Sequence, residues 1–175
     1  MKLTRYIFFS FSFLLFSCQD TCDYYRTYTV YDPIYNSMES MRDSVKYTDS
    51  REINNPGKLN YKDGFLYISE TEKGIHIIDN RNINNPVNIG FIVLPGNYDI
   101  ATKGDYLYAD SYLDLVVFDI SDVNSVKEVN RLENNFENYY LSQGLYIEER
   151  GVVIGYEEEI VEEFVEDHDC NSAFD

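Results

Sequence analysis

Apolar residues in the middle of this chain come in short runs rich in Ile, Val, Leu and Tyr, each closed by Gly, Asn, Asp or Pro. Such runs read as β-strands, because β-branched and aromatic side chains suit a pleated surface and the closing residues supply turn backbone. The runs repeat. Leu66-Tyr67-Ile68 returns as Leu107-Tyr108-Ala109 and as Leu145-Tyr146-Ile147, at spacings of 41 and 38 residues. Gly64, Gly104 and Gly144 precede the three copies, where a tight turn is expected. A second apolar run follows each, starting at Gly74, Asp114 and Gly151, with spacings of 40 and 37 residues. Asn-rich linkers repeat as well: Arg51-Glu52-Ile53-Asn54-Asn55-Pro56 matches Arg81-Asn82-Ile83-Asn84-Asn85-Pro86, and Ser121–Val126 is a related turn. Each unit is expected to be strand, turn, strand, Asn-rich turn and a further strand, such as Val87–Leu94 or Lys127–Leu132.

An all-β period near 40 residues is the size of one propeller blade. Within it, Leu115-Val116-Val117-Phe118-Asp119-Ile120-Ser121-Asp122 resembles the motif of the LVIVD-repeat proteins, a family of bacterial surface-type repeats. Ile75–Asp79 is a looser copy, and the third copy departs by carrying Tyr156 where the motif has Asp. The resemblance covers residues 51–156 and implies stacked antiparallel blade-like sheets, two to three in number. Closed propellers use about four to eight blades, so this stack is expected to stay open. It is then a short open stack, an assembly with copies or partners, or the front part of a longer repeat lipoprotein.

The flanks read differently. Lys2 and Arg5 precede an apolar run from Tyr6 to Phe16, too short for a permanent membrane span of roughly 20 residues. The run closes on Leu15-Phe16-Ser17-Cys18, which resembles a bacterial lipobox and departs from it in the bulk of Phe16. Residues 1–17 are therefore expected to be a lipoprotein signal peptide and Cys18 the lipid-bearing first residue of the mature chain. Several acyl chains on one residue make a stable anchor, since each buried CH₂ contributes about 0.8 kcal/mol. Together the lipobox-like segment and the resemblance to repeat lipoproteins imply a place at the cell envelope, expected to be the outer membrane of a Gram-negative bacterium. Residues 18–50 are expected to be a polar spacer in which Met38, Met41 and Val45 mark a short helix, and 157–175 an acidic tail. In that tail Tyr156, Ile160, Val161, Phe164 and Val165 fall at helical spacing, which favours a helix over an edge strand.

Charge and chemistry narrow the function. Removing Lys2 and Arg5 from the 14 bases leaves 12 against 31 acids, a formal charge of −19. Such a surface repels nucleic acid, so none is expected as a partner. Nothing resembling a nucleophile elbow, phosphate loop, zinc spacing or calcium loop is present, so no catalytic residue, metal site or cofactor is expected. Asp79 and Asp119 recur after strands and are expected to fix turns, a task each repeat shares. His76 alternates with Ile75 and Ile77 and is expected to face solvent. The His168-Asp169-Cys170 triplet lacks a second ligand cluster, and Cys22 and Cys170 are expected to stay unpaired. Tyr67, Tyr108 and Tyr146 recur as core or half-core residues, although tyrosines also suit stacking on sugars. The expected function is a non-enzymatic module binding an envelope protein or glycan. The alternative is an accessory enzyme acting on polysaccharide or esters.

Overall fold

The computed structural model describes residues 23–166, so Cys18, Cys22, His168 and Cys170 lie outside the described residues. In chain order the elements are β1 (Tyr24–Asn36), α1 (Met38–Asp43), β2 (Lys46–Thr48), β3 (Pro56–Lys62), β4 (Phe65–Glu70), β5 (Gly74–Asp79) and β6 (Val87–Val93). There follow β7 (Ile100–Lys103), β8 (Tyr106–Ser111), β9 (Asp114–Asp119), β10 (Lys127–Leu132), α2 (Glu137–Ser142), β11 (Tyr146–Ile147) and β12 (Gly151–Val165). The fold is all-β, built of antiparallel sheets that do not close. The first sheet has the order β2-β6-β5-β4-β3 and the second β10-β9-β8-β7, while the third is β1-β12-β11. The first two are four-stranded meanders of the expected repeat, with β2 added at the outer edge of the first.

Two compact units divide the chain: Pro33–Tyr156, and the two chain ends, described over 23–32 and 157–166. In the larger unit, the repeat glycines do what their positions require. Asp63 and Gly64 both take positive φ in the two-residue turn from β3 to β4, and Gly104 does so between β7 and β8. That backbone twist matches the twist of the strands it joins. Period-2 alternation then sends Tyr67, Ile75, Ile77 and Ile92 of the first sheet to one face, where they meet Ile100, Leu107, Ala109, Val116 and Phe118 of the second. This buried layer is the main core. Tyr47 of β2 packs on it and donates to Val123 O at 3.0 Å, and Thr102 Oγ1 donates to Asn60 Oδ1 at 2.6 Å across β7 and β3. A smaller cluster of Tyr112, Leu113 and Val152 gathers Met38, Met41, Tyr140 and Tyr146 around the tip of the second sheet.

The expected short helix forms as α1, capped by Ser37, whose Oγ accepts from Ser40 N. The rest of that segment is more than a spacer. Residues 24–36 are strand, and β2 pairs with β6 from Lys46↔Val93 to Thr48↔Phe91.

A correction concerns the acidic C-terminal segment. It is not a helix: β12 runs to Val165, and Val161, Glu163 and Val165 are partly covered while their neighbours are exposed, a period of two. Helical spacing was coincidental. The β-branched Ile160, Val161 and Val165 find an equally β-prone partner in the Tyr-rich β1, and a long-range pairing is invisible in a local pattern. In the smaller unit this pairing sets Arg26 against Glu163 (2.6 Å) and the Tyr25 ring 5.2 Å from Phe164. Pro33 is tolerated because β1 is an edge strand.

Candidate functional site

The polar residues singled out by the repeat are structural. Asp79 Oδ1 accepts from Arg81 N (3.0 Å) and Arg81 Nε (2.9 Å), and Asp119 Oδ1 accepts from Ser121 N (2.9 Å). Each aspartate closes the turn that leaves its sheet's third repeat strand, as expected. The Arg81 side chain, with its backbone N–H, holds Asp79 down to about 2, well under the usual carboxylate range.

His76 corrects its expectation. It does point away from Ile75 and Ile77, yet that face is covered, and the ring is fully buried. Residues 51–55 lie over it. Glu70 accepts from Asn55 N (2.8 Å) and Asn54 N (3.2 Å), and His76 Nε2 lies 3.0 Å from its Oε2. The amide of Asn88 donates to Arg51 O (2.8 Å) and lies 3.4 Å from His76 Nδ1, which leaves the ring proton on Nε2, facing Glu70. Arg51 covers the Phe91 ring at 3.3 Å, and Phe91 meets His76 edge-on. Burial pushes Glu70 up, but the Asn55 amide, His76 and the Asn54 amide outweigh it and hold the carboxyl below its ordinary value. The group pins a loop to the sheet.

The second sheet carries its own pin. Asp114 is buried and accepts from Arg42 Nε (2.8 Å), Arg131 Nη1 (2.8 Å) and Asn134 N (3.0 Å). Burial raises this carboxyl, yet Arg42, the Asn134 amide and Arg131 together keep it below its ordinary value. It ties α1 and the residues after β10 to the strand.

A cavity lies elsewhere in the larger unit, at the tips of the hairpins. Its volume is about 620 Å³. Six aromatic side chains line it: Tyr98, Tyr112, Phe136, Tyr139, Tyr140 and Tyr156. Leu145, Val153 and Ile154 add apolar wall, and Glu72 and Asp110 are its two acids. The β11–β12 hairpin and α2 form one side, and the loop from Gly96 to Asp99 with the β8–β9 turn forms the other.

Two repeat-equivalent hairpin residues aim into this cleft from unusual backbone. Glu72, between β4 and β5, has φ 64°, and Tyr112, between β8 and β9, has φ 50°. A non-glycine residue in this left-handed region costs roughly 1–2 kcal/mol. Such strain gathers where the surroundings hold a side chain for use. Glu72 accepts from the Tyr98 hydroxyl, while Glu72 N donates to Asn97 O (2.8 Å) and Gly96 N to Glu72 O (3.0 Å). Asp110 Oδ1 accepts from Tyr98 N (2.7 Å), Asp99 N (2.9 Å) and Asn97 Nδ2 (2.9 Å). Burial nonetheless pushes Asp110 above its ordinary value. Three donors on one oxygen make it a loop-holding group. Burial also lifts the Tyr140 hydroxyl to about 12, so the phenol stays protonated and can donate.

Tyr67 is core and Tyr108 half-buried, while Tyr146 packs on the smaller cluster. The cleft itself was not foreseen because four separate stretches supply its tyrosines, and only Tyr112 and Tyr156 carry a repeat-linked signal. No protein-family model, curated protein or solved structure matches the chain.

Proposed function

We propose that this chain is a lipid-anchored protein of the bacterial cell envelope that binds a glycan in the tyrosine-lined cleft without altering it chemically. The observation that carries the reading is the lining: six rings beside the carboxylate of Glu72, which is held on a strained hairpin. Aromatic faces stack on the C–H faces of a sugar ring, and phenol and carboxylate groups take its hydroxyls. The formal charge of −17 disfavours anionic polysaccharide, so the ligand is a neutral or amino sugar. The repeats would belong to the LVIVD type, and Cys18 would hold them at the outer membrane.

Binding of the full chain to an array of neutral, amino and acidic glycans tests the reading. A neutral or amino glycan should be retained, and Tyr139→Ala or Tyr156→Ala should weaken it about three- to tenfold, the loss of one stacking contact. Retention unchanged in both variants would remove the cleft from the account, and turnover of a retained glycan would replace binding with the enzymatic reading. For the anchor, Cys18→Ser should abolish acyl labelling and leave the precursor uncleaved. Normal labelling of that variant would sink it.

A further inference from the structure

The tyrosine-lined cleft holds two carboxylates and no matching cation. Glu72 and Asp110 are among its lining residues, whereas no Lys, Arg or His is. The two acids buried outright in the larger unit are matched from within the chain: Asp114 meets Arg42 and Arg131, and Glu70 meets His76. Glu72 and Asp110 have only neutral side-chain partners among the described residues. Glu72 takes the Tyr98 hydroxyl. Asp110 takes Tyr98 N, Asp99 N and the Asn97 amide, all on Oδ1, so its Oδ2 receives no donor from the described residues. Both charges act at one ring: the Tyr140 hydroxyl is raised first by burial, then by Asp110 and, among smaller effects, by Glu72.

The rings beside these acids form a corner. Tyr140 lies 6.3 Å from Tyr112 with their planes at 71°, and 5.6 Å from Tyr139 with their planes at 83°. Ring planes standing nearly upright to one another let a cation touch more than one π-face at once. An unmatched carboxylate in a low-dielectric recess is costly, and a ligand cation offsets that cost where a neutral sugar cannot. The missing charge fits an organic cation better than a metal ion. Calcium takes about six to eight oxygen ligands, and no group of three His, Cys, Asp or Glu gathers among the described residues.

We propose that the cleft selects a sugar bearing a positively charged amino group, seating the ammonium at Glu72, Asp110 and the corner of Tyr112, Tyr139 and Tyr140. The proposal rests on the glycan reading and names which sugars the cleft prefers. Its test titrates the full chain in detergent with three tetrasaccharides of one backbone: glucosamine, its N-acetyl form and its N-trimethyl form. The trimethyl form is a permanent cation with a substituent as bulky as the acetyl group, which separates charge from size. Both charged tetramers should bind about tenfold tighter than the acetylated one, the effect of ring faces and carboxylates on one cation. Glu72→Gln and Asp110→Asn should each cut that ratio to about threefold, because one carboxylate fewer faces the cation. A ratio still reports on a variant that folds only in part. Equal binding of all three tetramers would overturn the inference and leave the glycan reading standing. A ratio unmoved in both variants would overturn it too, since the cation would then sit elsewhere. Retention of none of the three would also overturn it, and the glycan array then decides separately whether the cleft takes another sugar.

Discussion

The first and second blades share the strand order of the repeat, yet they solve their covering problem with different chemistry. In the first, Glu70 and His76 hold a loop that precedes the blade. In the second, Asp114 takes Arg42 and Arg131 and holds a helix from far upstream. The repeat positions themselves show the exchange: Gly74 of one blade is Asp114 of the other, His76 is Val116, and Phe91 is Arg131. What the repeat preserves is the strand pairing and the layer between the blades. What it leaves free is the outer polar fastening, because each blade must catch a different piece of chain.

Breaking equivalent positions should expose that difference. The largest effect is expected in the shared core: Ile75→Ala should cost about 4 kcal/mol, because the residue is fully buried and the cavity is rigidly walled. Its equivalent, Leu115→Ala, should cost about 1 kcal/mol, because that side chain keeps part of its surface in water. Urea midpoints of the two variants measure the contrast, and equal losses would deny that the outer face of the second blade is open.

The fastenings come next. Asp114→Ala should destabilise by about 3 kcal/mol, since it leaves two permanent guanidinium charges facing each other in a partly buried site. Glu70→Gln should cost about 1–2 kcal/mol, because His76 Nε2 can keep one hydrogen bond to the amide. A reversed order in denaturant titration would contradict the charge argument.

The smallest effect is a slope. Glu70 and Asp114 both lie below their ordinary values in the folded chain. Their stabilisation is therefore complete above the unfolded carboxyl range, near pH 4, and is lost as pH falls through the folded values. Asp110, raised by burial, works in the opposite sense and shallows the acid limb. Asp114→Asn should flatten stability against pH below about 4 and leave its shape above 6 unchanged. A variant whose loss deepens between pH 6 and 8 would rule out this assignment.

The repeat was legible because its signal is local and doubled. Turn glycines such as Gly64 and Gly104 and the alternating strands Phe65–Glu70 and Tyr106–Ser111 announce themselves within a few residues. The turn roles of Asp79 and Asp119 follow from the same logic. His76 was misread for a reason the alternation cannot supply: period two tells which face a side chain takes, never whether another segment covers that face. The continuation of β12 past Tyr156 to Val165 was hidden likewise, because its partner lies more than a hundred residues away in sequence. The cleft was least legible of all. Glu72, Tyr98, Tyr139 and Tyr156 share no spacing, and only the closing of hairpins from separate repeats brings them together.

The long pairing of β1 with β12 has a mechanical consequence. Arg26 lies on Glu163 at one end of the ribbon, and Asn36 lies against Gly151 at the other, so the strands run in opposite directions. A pull between Tyr24 and Val165 loads the ribbon as a zipper, opening one rung at a time at low force. A pull between Tyr24 and Asn36 instead runs through the β1 backbone itself and opens no rung. The same ribbon is thus soft to one direction of tension and stiff to the other, and which it meets depends on where the load is attached.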